Sequence, residues 1–235
     1  TWGANAVNGV INIITKQSRA TLGSMVSTAA GTRQYELAGR IGFAAGDNTY
    51  GRVYAKGFYQ HHFADNPVGL DDSNLKGGLF GFRTDTITQD ASAMFAGHFF
   101  KENIDNRQPL TAHLSAALDK NYMGDVHTLK AYLYHFDIGN WENPAIATEG
   151  GTTVANLDYQ WKMGAVGRHK PTAGLSYQMV YYQADPSFPA SFEKTSGSTH
   201  LFGGFIQNDL SLTDKLALTV GVKLEHNDYT GFEYQ

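Results

Sequence analysis

From Thr21 onward, apolar and polar residues alternate with a period of two, and the 3.6-residue repeat of an amphipathic helix is hard to find. Such alternation puts successive side chains on opposite faces of an extended chain, so nearly everything after the first 20 residues reads as antiparallel strand. The clearest stretch runs from Lys215 to Asn227. There Leu216, Leu218, Val220, Val222 and Leu224 are apolar, and Ala217, Thr219, Gly221, Lys223 and Glu225 between them are small or polar. The preceding stretch sets Phe202, Gly204, Ile206, Leu210 and Leu212 against Gly203, Gln207, Asp209 and Ser211, with Phe205 and Asn208 as exceptions. The pattern predicts about eleven strands, over 21–31, 35–46, 49–62, 75–87, 90–103, 110–121, 126–137, 152–163, 170–184, 199–212 and 215–229. Most exceed the common strand of about five or six residues. They also reach or exceed the roughly 9 to 11 residues that a tilted strand needs to cross a bilayer.

The connections carry a second regularity. Short links at 46–49, 88–90, 122–125 and 213–214 alternate with mostly longer ones at 63–74, 103–109, 138–151 and 185–198. Transmembrane barrels have this asymmetry, with tight turns at one rim and long loops at the other. Aromatics (Tyr59, Phe99, Phe100, Tyr134, Phe136, Tyr181, Tyr182 and Tyr229) gather near the strand ends that lead to the long connections, as expected of an interfacial girdle. On 49–62, Arg52, Lys56 and Gln60 share one face and Val53, Ala55, Gly57 and Tyr59 the other. A Lys or Arg facing lipid at mid-membrane costs about 2–4 kcal/mol, so the charged face is expected to line a lumen.

Composition narrows the field. Charged residues make up 17% of the 235 residues, well under the roughly 25% of an ordinary soluble domain, and a soluble β-sandwich would carry more charge on its polar face. A net charge of −4 provides no basic field for phosphates, so no nucleic-acid partner is expected. The absence of Cys excludes disulfide scaffolds, thiolate metal sites and a Cys nucleophile. There is no apolar run of 18 residues, which excludes a spanning helix and leaves a spanning barrel open. The chain begins at Thr1 with no signal-like stretch and reads as a piece of something longer.

The segment Trp2 to Lys16 breaks the alternation. It reads Trp-Gly-Ala-Asn-Ala-Val-Asn-Gly-Val-Ile-Asn-Ile-Ile-Thr-Lys. Gly3 and Gly9 permit tight turns or close backbone approach, and Val10, Ile11, Ile13 and Ile14 form a short apolar strand interrupted by Asn12. This motif, with Gly3, Asn8, Gly9, Asn12 and Thr15 as its marked positions, resembles the end of the plug domain of TonB-dependent outer-membrane receptors. Phe205 to Asp209, Leu212 to Leu216, Glu225 to Glu233 and Tyr50 to Lys56 are similar to strands of the same family's barrel.

The resemblance implies an all-β fold. It is an antiparallel transmembrane β-barrel, partial, with about 11 of about 22 strands, preceded by the last strand of a plug. Residues 1–20 are then the C-terminal end of the plug and 21–235 the first half of the barrel. It implies the outer membrane of a Gram-negative-type cell, outer-membrane lipid and the TonB complex as partners, and uptake of a scarce small molecule, most often a ferric siderophore. The coupling box and most of the plug are expected before Thr1, and the remaining strands after Gln235. No cofactor is expected.

Candidate chemistry sits in the loops. His61 and His62, followed by Asp65, Asp71 and Asp72, carry imidazole and carboxylate groups suited to a metal or haem-iron contact, although solvated loop residues are the plainer reading. Because adjacent strand residues point to opposite faces, only one of the two His can face a given site. Asp105, Arg107, Trp141, Glu142, Phe188 and Phe192 are further candidates for first contact with a ligand. No resident metal site is predicted, since the remaining His are scattered. Ser191 and Lys194 have an acyl-transfer spacing, but the companion Lys-Thr-Ser-Gly element reuses Lys194, so no catalytic residue is predicted. Two rival functions stand beside the receptor: a passive porin-like channel, which would lack the plug motif, and, more remotely, an outer-membrane hydrolase built on Ser191.

Overall fold

The computed structural model describes residues 14–61, 74–103, 108–139, 150–184 and 195–234. A single 3-10 turn, Ser18–Thr21, leads into twelve strands. These are β1 (Gly23–Ala30), β2 (Gln34–Ala44), β3 (Thr49–Gln60), β4 (Leu75–Ile87), β5 (Ala91–Asn103), β6 (Leu110–Tyr122), β7 (Asp125–Asp137), β8 (Gly150–Lys162), β9 (His169–Ala184), β10 (Ser196–Thr213), β11 (Leu216–Asn227) and β12 (Gly231–Tyr234). They form one antiparallel sheet in chain order, with β1 and β12 at its edges. The expected strands are all present.

β12 is an addition. The Asn227 side-chain oxygen accepts the N–H groups of Tyr229 (2.9 Å) and Thr230 (2.8 Å), and Gly231 sits at φ +75°. An Asx turn followed by a left-handed Gly reverses the chain, so it pairs back on β11 from Leu224 to Asn227. At the link between β6 and β7, Met123 (φ 51°) and Gly124 (φ 89°) both lie in the left-handed region. That is the type I′ geometry whose twist matches the flanking strands.

The register fixes two faces, because directly opposed residues point the same way. Arg52 opposes Gly42 and Arg83, whereas Val53 opposes Ile41 and Phe82. Following that parity around the sheet gives a polar face with Glu36, Arg40, Arg52, Lys56, Arg83, Asp85, Lys130 and Asp158. The apolar face carries Leu37, Ile41, Phe80, Leu133, Leu157, Ile206 and Val222. Asn208 stands on the apolar face, where its side-chain nitrogen pairs with His169 Nδ1 (2.8 Å). Phe205 stands on the polar face opposite Gly174.

Among the described residues no Val, Leu, Ile, Met or aromatic side chain is buried; Leu216, Val220 and Leu224 are 57–61% exposed. This is a sheet with no apolar core of its own. Its stability depends on what removes the apolar face from contact with water, at about 25 cal/mol for each Å².

Aromatic rings are repeatedly laid across directly opposed glycines: Tyr54 on Gly81, Phe58 on Gly77, Phe205 on Gly174 and Tyr182 on Gly197 on the polar face, with Phe43 on Gly51 and Phe82 on Gly97 on the apolar face. A Cβ at Gly77 would stand 2.7 Å from Phe58 Cζ and 2.8 Å from the Lys101 carbonyl oxygen. The ring occupies the volume that the glycine leaves, which stiffens a strand region that glycine alone would weaken.

The expected aromatic girdle requires a correction. Tyr59, Phe99 and Tyr181 stand on the apolar face, but Phe100, Tyr134, Phe136 and Tyr182 stand on the polar face. Period-two alternation splits the adjacent pairs 99/100 and 181/182 and puts 134 and 136 together on the polar face.

Candidate functional site

The segment entering β1 is bound to the polar face by a cluster of charged and hydroxyl side chains. Asp85, 4% exposed, accepts the Ser18 backbone N–H (2.7 Å) and is gripped by Arg83 through Nε (2.9 and 3.0 Å) and Nη2 (2.7 Å). The remaining Arg83 Nη1 donates to Thr15 Oγ1 (2.6 Å), and Ser18 Oγ donates to the Arg83 carbonyl (3.1 Å). From β3, Arg52 Nη1 donates to the Lys16 carbonyl (2.7 Å). Thr21 Oγ1 closes the 3-10 turn on the Ser18 carbonyl (2.9 Å).

Each part of this arrangement has a local cause. Arg83 and Asp85 are two apart on one strand and therefore share a face, so their forked geometry forms within a single element. Asp85 supplies the acceptor that the orphaned N–H at the start of the turn requires. Gly42 lets the backbone cross. A Cβ there would lie 2.8 Å from the Thr21 carbonyl carbon and 3.0 Å from Leu22 Cα. The cluster satisfies a nearly buried carboxylate with a guanidinium and a backbone donor, the combination that makes such a pair tolerable away from water. Its chemistry is that of a latch holding a chain segment; it contains no nucleophile with a base.

The polar wall is graded along the strands. Around the latch it is ionic. Toward the long connections it turns aromatic, with Phe58 stacked on Phe100 (6.0 Å, 11°), His98 beside His113 (5.0 Å), and His113 beside Tyr132 (6.2 Å). Farther round the sheet, Gln178 Nε2 donates to Tyr132 Oη (3.1 Å), and Lys223 pairs with Glu225 (2.8 Å). At the rim of the short links, Asp125 accepts the Gly164 N–H (2.7 Å) and the Trp161 indole N–H (2.7 Å). Those two donors hold its carboxyl below the usual carboxylate range.

Of the residues singled out from the sequence, His61 and Thr15 are described. His61 closes the end of β3, its N–H donating to the Arg33 carbonyl (2.8 Å), and its ring meets Tyr59 edge-on (4.9 Å). That places it with the apolar-face aromatics and away from the polar wall. Thr15 belongs to the latch. His62, Asp65, Asp71, Asp72, Asp105, Arg107, Trp141, Glu142, Phe188, Ser191, Phe192 and Lys194 lie outside the described residues, as do Gly3, Asn8, Gly9 and Asn12. Among the described residues no three His, Asp or Glu side chains gather as a metal-ligand set. Ser18, Arg83 and Asp85 were not anticipated from the sequence. The Arg-x-Asp spacing within a strand was a usable signal for the second and third, and nothing local marks Ser18.

The family profile described as "TonB dependent receptor-like, beta-barrel" matches residues 14–235. No curated protein sequence matches the chain. Among solved structures, a mutant of the ferric enterobactin receptor PfeA from Pseudomonas aeruginosa aligns with a TM-score of 0.68 at 14% identity, covering 99% of this chain and 43% of that one. The siderophore receptor PirA from Pseudomonas aeruginosa gives 0.63 at 11% identity, over 86% and 36%. PirA from Acinetobacter baumannii gives 0.63 at 7%, over 90% and 39%. At these identities the likeness is one of fold, and this chain spans about two-fifths of the length of those receptors.

Proposed function

The chain belongs to the TonB-dependent receptor-like β-barrel family of the outer membrane, and from that premise we propose that it is part of a receptor taking up a scarce small molecule, an iron complex such as a ferric siderophore. In this reading residues 1–20 end the plug and 21–235 form the first half of the barrel. The polar face lines the lumen, the apolar face meets outer-membrane lipid, and the TonB complex acts on plug residues outside this chain.

The observation that carries the reading is the latch. The segment before β1 is bound on the polar face by Arg52, Arg83 and Asp85, beside the short links, as a chain must be if it leaves a plug inside the lumen to begin the wall. The ferric ligand rests on what the similar receptors bind. His61, His62, Asp65, Asp105, Arg107, Trp141, Glu142, Phe188 and Phe192 remain proposed ligand contacts, and no residue is assigned catalysis.

Uptake of a panel of radio-iron siderophores, by cells with and without the intact gene and with and without a protonophore, tests this. Uptake that needs both the gene and the energised inner membrane supports it. Uptake that needs the gene but ignores the protonophore replaces it with a passive channel, and transport of no ferric complex removes iron from the proposal.

A further inference from the structure

His98 and His113 oppose each other directly across β5 and β6, with ring centroids 5.0 Å apart and planes at 32°. We propose that they form a two-imidazole binding site for a borderline divalent metal ion on the lumenal wall. Placing the pair in a lumen rests on the receptor reading; the pairing itself does not.

The other described histidines behave differently. His127, His135, His169 and His200 stand on the apolar face, each with Nδ1 engaged: to Tyr159 Oη (2.8 Å), Thr153 Oγ1 (2.9 Å), Asn208 Nδ2 (2.8 Å) and Tyr177 Oη (2.9 Å). His61 and His226 pack on Tyr59 and Phe232 of that same face. His98 and His113 alone among the described histidines share the polar face, and their ring nitrogens have no hydrogen-bond partner among the described residues. Both are half-buried, which holds their side chains without sealing them.

The surroundings leave room in front of the rings. On the other side of His98 the Tyr54 ring lies over Gly81, and Tyr132 stands beside His113, so the open side is the one toward Ala96 and Ser115, an opposed pair of small residues one step along the same face. The nearest cation on that face, Arg83, opposes Ala96 and is tied to Asp85. Imidazole suits Zn²⁺, Cu²⁺ and Ni²⁺, and two nitrogens bound to one such ion at about 2.0–2.1 Å stand roughly 3 Å apart. Side chains opposed across antiparallel strands start from Cβ atoms about 4.5–5.5 Å apart, so both rings reach one ion without backbone movement. With no third ligand residue among the described residues, the other coordination positions belong to solvent or to a chelator that carries the ion.

The test is titration of the intact receptor in detergent with Cu²⁺ alone and with a copper–bipyridine chelate, read by electron paramagnetic resonance and calorimetry. The expected result is one ion per receptor with nitrogen hyperfine structure from two imidazoles. It is lost in His98→Phe and in His113→Phe, which keep a ring in each place, and retained in His226→Phe. Response to the bare ion or only to the chelate identifies which form the pair takes. Absence of stoichiometric binding in both arms, or binding that survives the double Phe variant, overturns the proposal. Because the readout is metal binding, its failure leaves the uptake reading standing, and failure of uptake leaves the metal result standing.

Discussion

Replacing Asp85 with Ala removes the acceptor on which the latch converges. The variant leaves Arg83, whose side chain is 14% exposed, without its counter-ion and leaves the Ser18 N–H, on a fully buried residue, without a partner. Breaking a buried ion pair from one side costs about 3–5 kcal/mol. Arg83 retains Thr15 and a path to water, which brings the expected cost to the lower end, about 3 kcal/mol. At about 1.4 kcal/mol for each tenfold change, the Ser18 amide should open roughly 100-fold more often. Hydrogen exchange followed by mass spectrometry on the intact receptor measures this. The expected outcome is faster exchange confined to residues 15–22, with the amides of β4 and β5 unchanged because their ladder is intact. Asp85→Asn keeps an acceptor for Ser18 and should show a smaller effect. Unchanged exchange at Ser18 in Asp85→Ala, or an equal rise throughout β4, would refute the assignment of Asp85 as a local latch.

Three further outcomes follow from the same geometry. Gly77→Ala puts a Cβ into the Phe58 ring and the Lys101 carbonyl and should lower barrel stability by about 1–3 kcal/mol in heat-modifiability gels, whereas Gly57→Ala, whose nearest atom is 4.0 Å away, should not. Val222→Arg on the apolar face should cost about 2–4 kcal/mol in refolding into lipid, whereas Gln207→Arg on the polar face should be tolerated. The Asp125 carboxyl is held down by the Gly164 and Trp161 donors, so its contribution is present above the unfolded-state value and is lost as pH falls through the lower folded-state value. Trp161 emission, read in a receptor that keeps Trp161 as its single Trp, should therefore change only once the pH falls below the ordinary carboxylate range, and Asp125→Asn should abolish that change.

Most of the strand plan was legible because the two faces meet different surroundings, and period-two alternation records that difference residue by residue. Even the exceptions were informative: Phe205 breaks the pattern because Gly174 opposite leaves room for its ring, and Asn208 because His169 shares its face. The aromatic girdle is not legible in the same way, because closeness in sequence is not closeness on one face. Phe99 and Phe100 are neighbours in the chain and point to opposite sides. β12 was hidden because four residues are too few to show a period, and its start depends on the Asn227 turn. The latch was invisible for another reason. Thr15 and Ser18 meet Arg83 and Asp85 across 65 to 68 residues of chain, and no local pattern encodes a contact of that range.

The two-faced wall can be measured directly by single-Cys labelling, since this chain contributes no Cys and any Cys elsewhere in the receptor is first replaced by Ser. Single Cys residues placed from Leu218 to Glu225 in the intact receptor, spin-labelled and reconstituted into lipid, report their access to oxygen and to a water-soluble nickel chelate. The account predicts strict alternation, with labels at 218, 220, 222 and 224 favouring oxygen and those at 219, 221, 223 and 225 favouring the chelate. Equal access of both sets to the aqueous reagent would contradict it.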